Sequence, residues 1–126
     1  GESLFTSLKK KYAGNVIYMD FWGVGCGPCR KGMLDQRTLV MKYKEAPVRF
    51  LYICNEKDSP RELSEKFLSE NQIQGEHIFL SSDEWNLLTS KFQFNATPFT
   101  LLIDRNGNIV ERNALPAATK IDELLK

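Results

Sequence analysis

Two cysteines three residues apart, Cys26 and Cys29, lie between a predicted strand and a predicted helix. The apolar run 16–19 before them is typical of a buried strand, and an amphipathic segment follows from Pro28. Two thiols at this spacing can alternate between a dithiol and a disulfide that closes a small ring. The chain is therefore expected to fold so that both thiols lie at the start of a helix, directly after a strand.

The order of the remaining strands and helices predicts a mixed sheet. Strands are predicted at 15–22, 48–55, 77–80, 99–103 and 109–112, and helices at 3–12, 28–43, 59–71, 81–92 and 117–125. A strand, a helix and a strand in succession favour a parallel right-handed crossover. The dipeptide Asn106-Gly107 indicates an antiparallel hairpin between the last two strands.

Two of the predicted helices carry start signals. Ser59 and Glu62 have the spacing of a capping box, and so do Ser81 and Glu84. Helical spacing places one set of side chains toward the core: Met33, Leu34, Thr38 and Met41 in the 28–43 helix, and Leu63, Phe67 and Leu68 in the 59–71 helix.

The length and composition of the chain favour one domain. With 126 residues, of which 42% are apolar, a single core would bury roughly two-thirds of the unfolded surface. The sequence contains no repeat and no long linker, and it does not begin with Met. We expect residues 1–126 to form one domain, which a longer chain could carry as its C-terminal part.

The charge and hydropathy of the chain exclude two classes of partner. A net charge of +1, evenly scattered, does not form the basic surface typical of a nucleic-acid-binding protein. No apolar stretch approaches the roughly 20 residues that cross a bilayer, and the first residues lack the pattern of a signal peptide. Membrane attachment is therefore expected only through an anchor outside this segment.

The position of Cys26 at a helix N-terminus favours its thiolate, because the unpaired N–H groups there carry about half a positive charge. Cys26 is therefore the candidate nucleophile. Arg30 and Lys31 would add to this effect if they pointed at the sulfur and are otherwise solvated. Structural zinc would need two further ligands, but only Cys54 and His77 remain, at unrelated spacing. Cys54 is expected to be a small buried hydrophobe in its apolar strand.

Asp20 lies near the end of the apolar strand that precedes the cysteines. An ionised carboxylate in that position would be costly, so we expect its pKa to lie above the usual range. A raised pKa suits proton transfer. The alternative is a solvated aspartate that only binds the backbone of the loop.

Several segments of the chain carry a family resemblance. The segment 20–22, Asp-Phe-Trp, and the segment 26–30, Cys-Gly-Pro-Cys-Arg, resemble the active-site segment of thioredoxin. The segment 96–107 resembles the part of the TlpA/ResA-like thiol-disulfide oxidoreductases that holds their cis-proline and last hairpin, and 59–80 is similar to the insertion of that branch. The resemblance implies an α/β thioredoxin fold, in which a central mixed β-sheet is flanked by helices on both faces, with an extra helix and strand before the cis-proline.

The resemblance also implies roles for individual residues. Cys26 would be the attacking thiolate and Cys29 the resolving thiol, with Pro98 as the cis-proline that faces them. In thioredoxin, the acid that matches Asp20 is thought to exchange a proton with the resolving cysteine. Thr97 would offer its backbone to an extended substrate segment, in the manner of an added strand.

Substrate contacts are expected from residues around the two cysteines: Trp22, Gly25, Gly27, Pro28, Thr97 and Pro98. Trp22 is expected to pack beneath the loop more than to contact substrate. Gly25 departs from the family pattern, which usually has an aromatic residue before the first cysteine. Glycine there removes apolar surface and loosens the loop.

The resemblance implies an enzyme, a thiol-disulfide oxidoreductase that exchanges disulfides with protein substrates and works as a reductant. It further implies a bacterial, extracytoplasmic setting, periplasmic or tethered to the membrane, and an upstream redox partner. No cofactor and no resident metal are expected. Two other interpretations are a carrier that holds Cu(I) between the two thiols and a non-catalytic thioredoxin-like binding module.

Overall fold

Helices and strands follow one another in the order that the sequence predicts. The computed structural model describes residues 1–113 and 115–126. Its elements are α1 (Glu2–Lys11), β1 (Val16–Trp22), α2 (Gly27–Asp35), α3 (Arg37–Lys42), β2 (Val48–Asn55), α4 (Arg61–Glu70), β3 (Glu76–Leu80), α5 (Ser82–Phe92), β4 (Phe99–Ile103), β5 (Ile109–Arg112) and α6 (Ala118–Leu125).

The five strands form one mixed sheet in the order β3-β2-β1-β4-β5. Strands β1 and β2 run parallel, as do β2 and β3. Strand β4 runs antiparallel to both β1 and β5. The predicted crossover and the predicted hairpin are therefore both confirmed, and β1, which leads to the two cysteines, lies at the centre of the sheet.

Helices cover both faces of the sheet, as expected. Every residue of β1 is buried, and alternate residues point to opposite faces. Tyr18 and Trp22 pack in a core with side chains of α2, α3, α4 and α6. Met19 and Phe21 pack in a second core with side chains of α1 and α5. By the same alternation, Asp20 lies on the face that α2 covers.

The helix predicted at 28–43 is interrupted. Gln36 ends α2 and precedes α3, and its ψ of −7° departs from helical values. Because α3 restarts after this residue, a single periodicity does not run through the whole segment. Met33 is fully buried, whereas the prediction that Met41 faces the core is wrong, since its exposed fraction is 44%.

The start of α4 also differs from the prediction. The capping box at Ser59 is absent, because Pro60 is the N-cap residue and no side chain caps the helix. The buried stripe of α4 contains Ser64 and Leu68, whereas Leu63 is 56% exposed, contrary to the prediction. The second capping box is confirmed: Ser81 accepts a hydrogen bond from the Glu84 N–H (3.2 Å), and the Glu84 carboxylate accepts one from the Ser81 N–H (2.9 Å).

Candidate active site

The two cysteines form a disulfide across the first turn of α2. Cys26 is the N-cap residue of this helix, and its sulfur accepts a hydrogen bond from the Cys29 N–H at 3.2 Å. Pro28 fits this first turn because a backbone N–H there has no helical partner. Cys26 is half-buried, whereas Cys29 is only 1% exposed. A molecule from solvent therefore reaches the sulfur of Cys26 and not that of Cys29.

The loop before β4 lies beside the disulfide. The Thr97-Pro98 peptide bond is cis, as the resemblance implies. The Thr97 carbonyl oxygen lies 3.6 Å from the Cys26 sulfur. Thr97 is half-buried and Pro98 is exposed. The fold thus brings together two segments that are about 70 residues apart in sequence, and their shared face is open to solvent.

Asp20 lies in the interior beneath the active-site segment. Its exposed fraction is 3%, and its Oδ1 atom has no hydrogen-bond partner in the described part of the chain. Burial raises the pKa of this carboxyl to about 7, since removal from water disfavours the charged form. The expected rise in pKa is confirmed, and the alternative of a solvated aspartate is wrong.

The remaining candidate contacts differ in exposure. Trp22 is 2% exposed and packs against Phe67 with ring centroids 5.8 Å apart. It lies beneath the loop, as expected, and lines a cleft of about 460 Å³ next to Thr97. Gly25, Gly27 and Pro28 are exposed around Cys26. A Cβ atom on Gly25 would meet nothing within 4 Å, so this position opens onto solvent.

The two basic residues after Cys29 bind other groups. The Arg30 guanidinium donates a hydrogen bond to the Val24 carbonyl, within the active-site loop. Lys31 is exposed and pairs with Asp35 at 2.7 Å, one helical turn away. Arg30 therefore braces the loop backbone, and the field at the sulfur comes chiefly from the helix terminus.

Sequence patterns did not predict the role of Ser59 at the site. Its side chain is 1% exposed and accepts a hydrogen bond from the Val24 N–H at 3.0 Å. Its hydroxyl lies 2.7 Å from that of Ser64, which donates in turn to the Ser59 carbonyl at 3.1 Å. Ser59 thus ties the loop before Cys26 to α4. No local pattern predicts this contact, because its two partners are 35 residues apart.

The third cysteine takes no part in the disulfide. Cys54 is buried and free, and burial raises the pKa of its thiol. Its predicted role as a buried hydrophobe is confirmed. Within residues 1–113 and 115–126, no group of three or more His, Cys, Asp or Glu side chains could hold a metal ion. In the same residues, no helix has the length and apolar character needed to cross a bilayer.

The chain is similar in sequence to known thiol-disulfide oxidoreductases. The thiol-disulfide oxidoreductase ResA of Bacillus cereus is 25% identical over 103 residues, which are 82% of this chain and 57% of that protein. The ResA of Geobacillus kaustophilus is 26% identical over 98 residues, 78% of this chain and 53% of that protein. The chain therefore spans a little over half the length of these curated relatives, and the resemblance to the ResA-like branch is confirmed.

Solved structures confirm the fold. The thioredoxin domain of a thiol-disulfide oxidoreductase from Bacteroides vulgatus superposes with a TM-score of 0.82 at 18% identity, over 93% of this chain and 84% of that one. StoA from Bacillus subtilis superposes with a TM-score of 0.69 at 17% identity, over 90% of this chain and 84% of StoA. The sequence profile of the Redoxin family matches residues 5–125. With a match over nearly its whole length, the chain belongs to the Redoxin family.

Proposed function

We propose that this chain is a thiol-disulfide oxidoreductase that reduces disulfides of protein substrates through Cys26 and Cys29. One observation carries the proposal: the two sulfurs close a disulfide at the N-terminus of α2, beside the cis Thr97-Pro98 bond. A disulfide across one helical turn can open and close with little movement of the backbone. The ResA relatives support the same chemistry.

The reaction begins at Cys26. In the reduced protein its thiolate attacks one sulfur of the substrate disulfide, the substrate S–S bond breaks, and the released substrate thiolate takes a proton from solvent. Cys29 then gives up its proton and attacks the Cys26 sulfur. The Cys26–Cys29 bond forms, the bond to the substrate breaks, and the second substrate thiolate leaves. The burial of Cys29 supports this order, because a substrate in solvent meets the half-buried Cys26 and not Cys29, which is bonded to Cys26 in the oxidised protein.

Asp20 is proposed as the base that takes the proton of Cys29. It lies on the sheet face that α2 covers, together with the buried side chain of Cys29. A pKa of about 7 lets the carboxyl accept and release a proton near neutral pH. An aspartate with an ordinary pKa would be a much weaker base for a thiol.

Substrate binds on the exposed side of the disulfide in this proposal. An extended segment of the substrate pairs with the backbone of Thr97 and contacts Pro98, Gly25, Gly27 and Pro28, all of which border the reactive sulfur. Trp22 contributes from beneath, by packing under the loop. Because the pairing uses backbone hydrogen bonds, binding depends little on the side chains of the substrate. This suits a reductant that acts on several protein substrates.

The setting of the reaction is part of the same proposal. We infer that residues 1–126 act as one thioredoxin-like domain, supported by the single sheet and by the profile match over 5–125. The ResA relatives favour a bacterial, extracytoplasmic location, with any membrane anchor outside this segment. An upstream dithiol partner returns electrons to the disulfide after each turnover. Neither nucleic acid nor a cofactor takes part.

Reduction of insulin disulfides in the presence of dithiothreitol tests the proposal. The wild-type chain is expected to accelerate the reaction, and Cys26→Ser to abolish the acceleration. Cys29→Ser is expected to accumulate a mixed disulfide between Cys26 and the substrate. The matched control is Cys54→Ser, which removes the remaining thiol and leaves the rate unchanged.

Two outcomes would contradict the proposal. The first is a wild-type chain that binds Cu(I) one to one and reduces no disulfide, which would favour the copper carrier. The second is a Cys26→Ser variant that retains cellular function, which would favour a non-catalytic binding module. Equilibration with glutathione measures the reduction potential, and a value more oxidising than that of glutathione would argue against the direction proposed.

A further inference from the structure

A row of polar side chains crosses the sheet at the level of Asp20. In the strand register, Asp20 of β1 is paired with Thr100 of β4 on one side and with Tyr52 of β2 on the other. Tyr52 is paired in turn with His77 of β3, and their rings stack with centroids 5.7 Å apart. Paired residues of neighbouring strands point to the same face. The row therefore runs from the candidate base to the edge of the sheet, on the side that α2 covers.

Unpaired polar atoms concentrate in this row. In the described part of the chain, four buried side-chain atoms lack a hydrogen-bond partner: Asp20 Oδ1, Tyr52 Oη, His77 Nδ1 and Gln36 Oε1. Three belong to the row, and the fourth belongs to Gln36, whose side chain hydrogen bonds to the neighbouring Tyr18. Leaving such an atom unpaired costs about 1–3 kcal/mol, so buried groups of this kind are usually bridged by water.

One residue of the row borders a second cleft. Tyr52 lines a second cleft, of about 440 Å³, between α3 and the segment 72–74. The cleft next to Thr97, which Trp22 also lines, shares no lining residue with this one. Tyr52 is itself 1% exposed, and it both pairs with Asp20 in the strand register and lines the second cleft.

We propose that Tyr52 and Gln36 position water between Asp20 and this second cleft, and that the proton taken from Cys29 leaves by this route. The inference rests on the proposed role of Asp20 as the base. In the resolving step, the Cys29 S–H bond breaks and its proton passes to the Asp20 carboxylate, while Cys29 attacks Cys26. Asp20 then gives the proton to the bridging water, and the water passes one to solvent in the cleft. The Asp20 carboxylate is regenerated, and the proton released to solvent balances the negative charge of the departing substrate thiolate.

The surroundings leave Asp20 as the group of the row that changes charge. Burial raises the pKa of both Tyr18 and Tyr52, which therefore stay neutral. Burial lowers the pKa of His77, whose Nε2–H donates to the Ile73 carbonyl at 2.8 Å. The cleft at Tyr52 shares no lining residue with the cleft at Thr97, where substrate is proposed to bind. A proton can therefore leave without dissociation of the substrate.

The test replaces Tyr52 by Phe, which removes the hydroxyl and keeps the ring. Stopped-flow measurements separate formation of the mixed disulfide from its resolution. We expect Tyr52→Phe to slow resolution at least about threefold, to change its solvent isotope effect, and to leave formation unchanged. The control is Tyr43→Phe, which removes another buried hydroxyl, bonded to Ala118 and Asp122, and should alter neither step.

Combining Tyr52→Phe with Asp20→Asn shows whether Tyr52 acts through Asp20. In Asp20→Asn protein, Tyr52→Phe should have no further effect on resolution. An equal slowing in both backgrounds overturns the inference, and so does a Tyr52→Phe variant with the wild-type rate and isotope effect. If the Tyr52 hydroxyl had only a structural role and no partner, Tyr52→Phe would keep the wild-type rate and isotope effect. The free energy of unfolding of this variant would then equal or exceed that of wild type.

Failure of the base and failure of the route give different results. If Asp20→Asn resolves at the wild-type rate, both the role of Asp20 and the route are overturned. If Asp20→Asn is slow and Tyr52→Phe is not, only the route is overturned. Should Tyr52→Phe fail to fold, Gln36→Leu removes the other positioning group and is judged by the same rates and the same double substitution.

Discussion

Replacing Asp20 by Asn should make the stability of this protein less dependent on pH. The folded chain keeps a proton on Asp20 up to a pKa of about 7, whereas the unfolded chain loses it near the ordinary value of 3.8. Between these two values the folded state binds more protons, so a rise in pH favours unfolding. The contribution of the protonated Asp20 carboxyl to the free energy of unfolding is fully present below about pH 4. This contribution decreases as the pH rises and is lost by about pH 7.

The magnitude follows from the two pKa values. Each pH unit between them changes the free energy of unfolding by about 1.4 kcal/mol, so the full difference is roughly 4 kcal/mol. Between about pH 5 and pH 8, wild-type protein should lose roughly 3 kcal/mol relative to Asp20→Asn. Any constant cost of burying the amide shifts the curve of the variant without changing this difference.

Urea unfolding of the oxidised proteins measures the effect. The disulfide keeps Cys26 and Cys29 from titrating, and all other titratable groups are common to the two proteins. The free energy of unfolding is determined for both at half-unit steps from pH 5 to 9, and the difference is plotted against pH. The difference should grow in favour of the variant up to about pH 7 and then level off.

Parallel pH curves would refute this reasoning. The difference in free energy of unfolding could instead stay constant with pH to within about 0.5 kcal/mol, the size of effect that a surface substitution has. Asp20 would then ionise in the folded protein as it does in the unfolded chain. A difference that grows toward low pH would mean that the carboxylate is stabilised by a partner. In either case the burial of Asp20 would not supply a base for Cys29.

Three further substitutions or labels examine the active-site loop. In reduced protein at neutral pH, iodoacetamide should modify Cys26 at least about tenfold faster than the buried Cys29, and equal rates would contradict the effect of the helix terminus. Ser59→Ala should cost about 1–3 kcal/mol in urea unfolding and speed hydrogen exchange of the Val24 amide, because that N–H loses its acceptor; an unchanged exchange rate would count against the contact. Gly25→Trp should change stability by less than about 0.5 kcal/mol, since the position is open, and lower KM for a protein disulfide; a KM equal to that of wild type would show that substrate does not contact this side.

Local signals in the sequence predicted much of the fold. The Asn106-Gly107 turn, the capping box at Ser81 and the strand before Cys26 are all present where they were expected. Each of these features depends on residues close together in sequence. The capping box at Ser59 failed because its hydroxyl binds Val24, a distant partner that competes with the helix end.

The sequence by itself determined where the reactive sulfurs lie and how they can pair, because a strand, a short loop and a helix start are specified by neighbouring residues. Only the tertiary structure decided the properties of the site. The pKa of Asp20, the depth of Cys29 and the alignment of Asp20 with Tyr52 and His77 depend on strand register and on which helix covers which face. These are set by packing between segments that are remote along the chain, and burial acts on a charge only once that packing has removed the water around it.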